Sequence, residues 1–171
     1  QEFRRGGNLF SLPPHETDIT EQADHDINGG GVDFSFFSKD YTHKFSLYSS
    51  VQHTDRQSYY GAGKDPNAYG KTKDLTAIAG IQYSYNFNHL LFMPAILTAG
   101  SEYSYNKLVD KMLGYHRTID QKVDVYSFFL QNEWKTEQFS FLLGGRLDKN
   151  SFIDHIIFSP RINLRYNPLK A

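Results

Sequence analysis

From Phe129 to Asp148 the chain reads FLQNEWKTEQFSFLLGGRLD. In its second arm Phe139, Phe141, Leu143, Gly145 and Leu147 alternate with Ser140, Gly144, Arg146 and Asp148. A period of two marks a strand with one apolar and one polar face. The first arm has the same rhythm, and the arms meet at a turn around Thr136 and Glu137. Closed there as a hairpin, Trp134 faces Phe139, Leu130 faces Leu143 and Tyr126 faces Leu147. A one-residue slip would turn every side chain over, so matched faces test the assignment.

The same pattern extends in both directions. Ala77, Ala79, Ile81, Tyr83, Tyr85 and Phe87 alternate with Ile78, Gly80, Gln82, Ser84 and Asn86. Phe158, Pro160, Ile162, Leu164 and Tyr166 alternate with Ser159, Arg161, Asn163 and Arg165. Hairpins near Asp40 and near 88–91 also close with faces matched: Phe36 on Phe45, Phe34 on Leu47, Phe87 on Met93 and Tyr83 on Leu97. The pattern predicts about seven antiparallel strands of roughly 8–14 residues. They fall near 31–38, 43–55, 74–87, 92–106, 121–135, 138–150 and 157–166. Residues 1–27 lack the period and read as a loop, leaving 28–171 as the strand region.

The connections alternate in length. Residues 39–42, 88–91, 136–137 and 167–170 are short; 56–73 and 107–120 are long, and 151–156 is intermediate. Outer-membrane barrels have short periplasmic turns and longer extracellular loops. Phe36, Phe45, Phe87, Trp134, Phe139 and Tyr166 gather near the short turns, where an interfacial ring belt belongs. On this reading the 1–27 loop is extracellular. The fold class is therefore all-β, an up-and-down meander forming part of a transmembrane barrel.

Composition agrees. Aromatic residues make up 16% of the chain, yet mean hydropathy is -0.55. No stretch approaches the ~20 apolar residues of a membrane helix, which is what alternating barrel strands produce. The absence of Cys excludes disulfides, thiolate metal sites and a Cys nucleophile. A net charge of -1 with no basic stripe gives no sign of nucleic-acid binding. No Gly-flanked serine elbow or supported triad is visible, so no enzyme is expected. Phe37, Tyr48, Phe129 and Leu142 fall on the nominally polar face, which suggests a lumen occupied by protein. The chain opens on Gln1 without a signal-peptide pattern and reads as a processed or excised piece.

Three elements in order carry a family resemblance: 129–134 (FLQNEW), 139–148 (FSFLLGGRLD) and 158–161 (FSPR). Together they resemble TonB-dependent outer-membrane receptors, in which a Q-x-E-W-like strand, an L-G-x-R-x-D strand and an S-P-R strand follow one another. At the front, 4–8 (RRGGN), 13–15 (PPH), 28–31 (NGGG) and 59–66 (YYGAGKDP) are similar to receptors of Bacteroidetes type, the cobalamin-importer-like group first. The resemblance implies a barrel of roughly 22 strands in the bacterial outer membrane. It implies import of a large scarce nutrient: vitamin B12 or another corrinoid, a ferric siderophore, or haem. Implied partners are membrane lipid, a plug domain, the rest of the barrel, a surface lipoprotein, and TonB through a region this chain reads as lacking. It implies no cofactor.

Candidate site residues follow. In the long loops, Tyr59, Tyr60, Tyr69, Tyr115 and Arg117 are candidates for cargo contact, since rings stack on flat ligands at little entropic cost. The alternative is loop-on-loop packing. On the lumen face Glu133, Arg146, Asp148, Arg161 and Arg165 would meet a plug or steer an anionic solute; the alternative is cross-strand pairing within the wall. Asp24 and Asp26 are candidate metal ligands, against a plain solvated loop. Two other functions stay open: a passive porin-like barrel, and a soluble β-sandwich that binds glycans.

Overall fold

A computed structural model describes residues 2–6 and 10–168 and resolves the alternation into eight strands. Gly7 and Asn8 of the arginine-led run, and residues 169–170 of the last short connection, lie outside the described residues. The strands are β1 (Glu2–Gly6), β2 (Ile19–Phe37), β3 (His43–Ala62), β4 (Tyr69–Leu90), β5 (Met93–Met112), β6 (Arg117–Lys135), β7 (Phe139–Asn150) and β8 (Ile157–Tyr166). They form one antiparallel sheet whose spatial order is the sequence order, an up-and-down meander.

Two expectations change. The stretch 1–27 is not a plain loop: it holds β1 and the start of β2, paired from Glu2 opposite Asp24 to Gly6 opposite Thr20. The long connections are also shorter than expected. β3 continues to Ala62 and β4 begins at Tyr69, while β5 runs to Met112 and β6 starts at Arg117. The cause is common to both. Ladder hydrogen bonds join backbones whatever the side chains are, so a strand that mixes polar and apolar residues on each face has no apolar row to announce it.

The chain gathers into two units. One comprises Gln1–Gly30, Val51–Ala77 and Tyr105–Lys122; the other comprises Gly31–Ser50, Ile78–Ser104 and Val123–Ala171. In the second unit the faces fall as the period requires. β7 and β8 pair Phe139 with Tyr166, Phe141 with Leu164, Leu143 with Ile162, Gly145 with Pro160 and Leu147 with Phe158. β6 and β7 keep the expected faces but shift register by two residues: Trp134 lies opposite Phe141 and Leu130 opposite Gly145. The turn explains the shift. Thr136 donates its N–H to the Phe139 carbonyl at 2.7 Å, and its hydroxyl accepts the Phe139 N–H at 3.1 Å, so the tip of the hairpin falls at 137–138, one residue further along the chain. At the 38–42 turn the Asp40 carboxylate accepts from the Ser38 hydroxyl and from the N–H and hydroxyl of Thr42. Those bonds, the one from Ser38 first, hold its carboxyl well below the usual carboxylate range.

The apolar rows are not packed inward. Phe34 (53%), Leu130 (47%), Leu143 (46%) and Ile162 (70%) are exposed, and a single sheet has no second layer to cover them. A sandwich buries its inner faces against another sheet, so the soluble-sandwich alternative has no core here. Trp134 is an exception on this face. It is stacked between Phe92 and Phe141, with centroids at 5.3 and 5.5 Å, and its Nε1–H donates to the Leu90 carbonyl at 3.0 Å.

If the apolar face meets hydrocarbon, Leu130→Arg in the full-length protein should cost about 2–4 kcal/mol of folding free energy in bilayers. Gln131→Arg, one residue along and on the polar face, should cost far less. Urea titration of the heat-resistant folded band reads both.

Candidate functional site

On the polar face of the second unit, four strands contribute to one hydrogen-bonded cluster. Tyr48 on β3 donates to Glu102 on β5 at 2.7 Å, and Arg146 on β7 donates to the other Glu102 oxygen at 3.0 Å. Arg146 also donates from Nε to Asp148 at 2.8 Å and from Nη2 to Ser127 on β6 at 2.7 Å. Ser127 in turn donates to Asp148 at 2.5 Å. Two glycines make the long reach possible. The Tyr48 ring covers Gly80 on β4, where a Cβ would lie 2.3 Å from the ring, and Phe129 covers Gly100, where the gap would be 2.4 Å. A side chain at either glycine would push the ring off the sheet.

The apolar exceptions on this face are placed as follows. Tyr48 and Phe129 are half-buried and lie along the wall over glycines. Phe37 is exposed beside Tyr41, with the Lys44 ammonium 5.4 Å from its ring centroid, and Leu142 is half-buried. Of the expected lumen residues, Arg146 and Asp148 belong to the cluster and Glu133 accepts from Ser140 at 2.7 Å. Arg161 and Arg165 stand exposed on β8, opposite Gly144 and Ser140. Glu102 and Ser127 were not singled out from sequence. Glu102 lies 44 residues from Arg146, and no local spacing signals that contact.

In the first unit the expected cargo residues divide. Tyr59 is 1% exposed; its hydroxyl donates to the Asp65 carbonyl at 3.0 Å and its ring meets Tyr69 edge-on at 4.9 Å. Burial, then the Asp65 charge, pushes the Tyr59 hydroxyl pKa up. The Tyr69 hydroxyl lies 2.8 Å from His15 Nδ1. The two tyrosine rings pack on each other where the end of β3 meets the start of β4. Arg117 is engaged too: it donates to Asp110 at 2.8 Å, while Thr72 donates to the other Asp110 oxygen at 2.6 Å and Arg56 lies 3.8 Å away. The Thr72 hydroxyl, then Arg117, hold the buried Asp110 carboxyl below its ordinary value, against the effect of burial.

Tyr60 and Tyr115 meet at an open cleft. Together with Arg5, Ile19, Thr20, Glu21, Gly61 and Ala62 they line about 460 Å³, and Arg5 pairs with Glu21 at 2.7 Å. Tyr115 is 65% exposed. Asp24 lines a smaller cavity of about 210 Å³, and Asp26 accepts from Asn28 at 3.0 Å. Among the described residues no three His, Asp or Glu side chains converge as a metal would need.

An exposed apolar face, a polar face knitted by charge, and a meander in strict sequence order describe a barrel wall. The family model for the TonB-dependent receptor-like β-barrel matches residues 3–171. The chain belongs to the TonB-dependent receptor family. No curated protein and no solved structure matches it significantly. The segment is thus part of an outer-membrane transporter, in a family whose members are not enzymes. Full-length members of the family combine the barrel with a plug domain and engage TonB.

For the Asp110 cluster the sign follows from the lowered carboxyl. Its stabilisation is complete above about pH 4 and is lost as pH falls through the lower folded value. Asp110→Asn should therefore speed hydrogen exchange in 105–122 at pH 7, while the wild-type segment stays protected down to below about pH 4. Exchange corrected for the intrinsic pH dependence measures this.

Proposed function

We propose that this receptor imports a large scarce nutrient, a corrinoid, a ferric siderophore or haem, and first touches it at the Tyr60–Tyr115 cleft. The observation that carries the reading is the cleft itself, where two rings stand beside an arginine–glutamate pair. Rings offer broad stacking area with few rotors to freeze, and Arg5 and Glu21 can reach the carboxylates and amides at the rim of a large chelate or macrocycle. The front segments that resemble cobalamin importers favour the corrinoid within that set. In this reading the long connections, 56–73 and 107–120, are extracellular and the short turns are periplasmic. A membrane-crossing strand needs about 9–11 residues, whereas β3 and β4 have 20 and 22, which leaves a polar length of strand to stand above the membrane. That extension gives cargo, and a surface lipoprotein partner, a surface to dock on.

Titration of the full-length receptor with cyanocobalamin, a ferric catecholate and haem tests the proposal. One of them should bind, and Tyr60→Ala and Tyr115→Ala should each weaken it about tenfold, the worth of one stacked ring. Tyr59→Phe should change little. Silence from the whole panel, or unchanged affinity in both alanine variants, would refute it.

A further inference from the structure

A buried amide lies on the lipid-facing side of the wall. Asn132 sits between Leu130 and Trp134 on the apolar face of β6, opposite Leu143 in the β6–β7 register. It is nine-tenths buried, and neither its amide oxygen nor its nitrogen has a hydrogen-bond partner among the described residues. An orphaned buried amide costs about 1–3 kcal/mol, and hydrocarbon supplies no water to relieve it. Asn132 also lines a groove of about 410 Å³ with Leu97, Leu130, Leu143, Leu147 and Phe158. The groove is built rather than incidental. The Phe158 ring lies over Gly145, where a Cβ would meet it at 2.6 Å, so only glycine lets that wall lie flat.

Depth narrows the occupant. Asn132 is two residues from Trp134, about 7 Å along the strand. Rings of the interfacial belt sit at headgroup level, so the amide falls near the glycerol esters of the adjoining leaflet. From there the groove runs toward the bilayer centre along Leu130 and Leu143 to Leu147 and Phe158, which follow each other in register. We propose that this groove is a site for one diacyl phospholipid of the periplasmic leaflet. In the protein alone both polar atoms of the amide are covered; with lipid in the groove the Asn132 side chain turns its N–H to an ester carbonyl, and the attached acyl chain lies along the leucines under Phe158. The inference rests on the reading above that the short turns face the periplasm.

The test uses the full-length receptor, washed in mild detergent and examined by native mass spectrometry with lipid analysis. The wild type should keep about one phospholipid per barrel. Asn132→Leu, which keeps shape and removes the amide, should weaken retention about tenfold while the barrel stays folded. Gly145→Val, which tips Phe158 into the groove, should do the same; if it fails to fold, Asn132→Leu decides alone. Wild type that washes clean, or an Asn132→Leu variant that retains lipid as well as wild type, overturns the site. Lipopolysaccharide as the retained molecule overturns it also, since that lipid belongs to the other leaflet. A spin label at Leu164→Cys, outside the groove, reports lipid contact separately: label in lipid with no retained phospholipid sinks the site only, and label in water sinks the orientation with it.

Discussion

A strand's own hydrogen bonds must leave it free to touch oil. In a meander where each strand pairs with its sequence neighbours, the backbone groups are spent within the sheet, and the side chains of one face can then be wholly apolar. Everything else in this segment depends on that separation. The period of two sends Phe158, Ile162 and Leu164 to one side and Arg161 and Arg165 to the other, and no second layer is needed to hide either row.

The polar face solves the complementary problem of keeping a thin wall in register. A sheet one layer thick has little core, and among the described residues only a few apolar side chains are buried. The cluster from Tyr48 through Glu102 and Arg146 to Asp148 ties β3, β5, β6 and β7 together, and the rings over Gly80 and Gly100 pack in the plane of the wall. Partly buried charges are tolerable here because each meets several partners at once. The first unit uses the same device around Asp110, joining β3, β4, β5 and β6 through Arg56, Thr72 and Arg117. Several of the candidates for cargo and plug contact also tie the wall together, among them Arg146, Asp148 and Arg117, while Tyr60 and Tyr115 line the cleft of about 460 Å³ and Tyr59 and Tyr69 the smaller cavity beside Asp24.

Much of this was legible in the sequence wherever one face is apolar. The β7–β8 rows pair as the alternation requires, residue by residue. The β6–β7 hairpin was legible in its faces but not in its register, because a Thr136 side-chain bond sets where the turn closes. Strands β1 and early β2, and the far ends of β3 to β6, were hidden because neither face carries an unbroken apolar row. The clusters were hidden for a different reason. Tyr48 and Glu102 are 54 residues apart and meet only because a glycine on the intervening strand lets the ring pass over it.

The central claim is that odd-numbered side chains of β7 meet lipid and even-numbered ones meet the barrel interior. The 171 residues contain no cysteine, so single cysteines placed one at a time from Phe139 to Asp148 in the full-length receptor, spin-labelled and reconstituted in bilayers, address it directly. Labels at 139, 141, 143, 145 and 147 should be quenched by oxygen dissolved in lipid, and labels at 140, 142, 144, 146 and 148 should be far less so. A profile without that two-residue period, or one with the phases exchanged, would contradict the account.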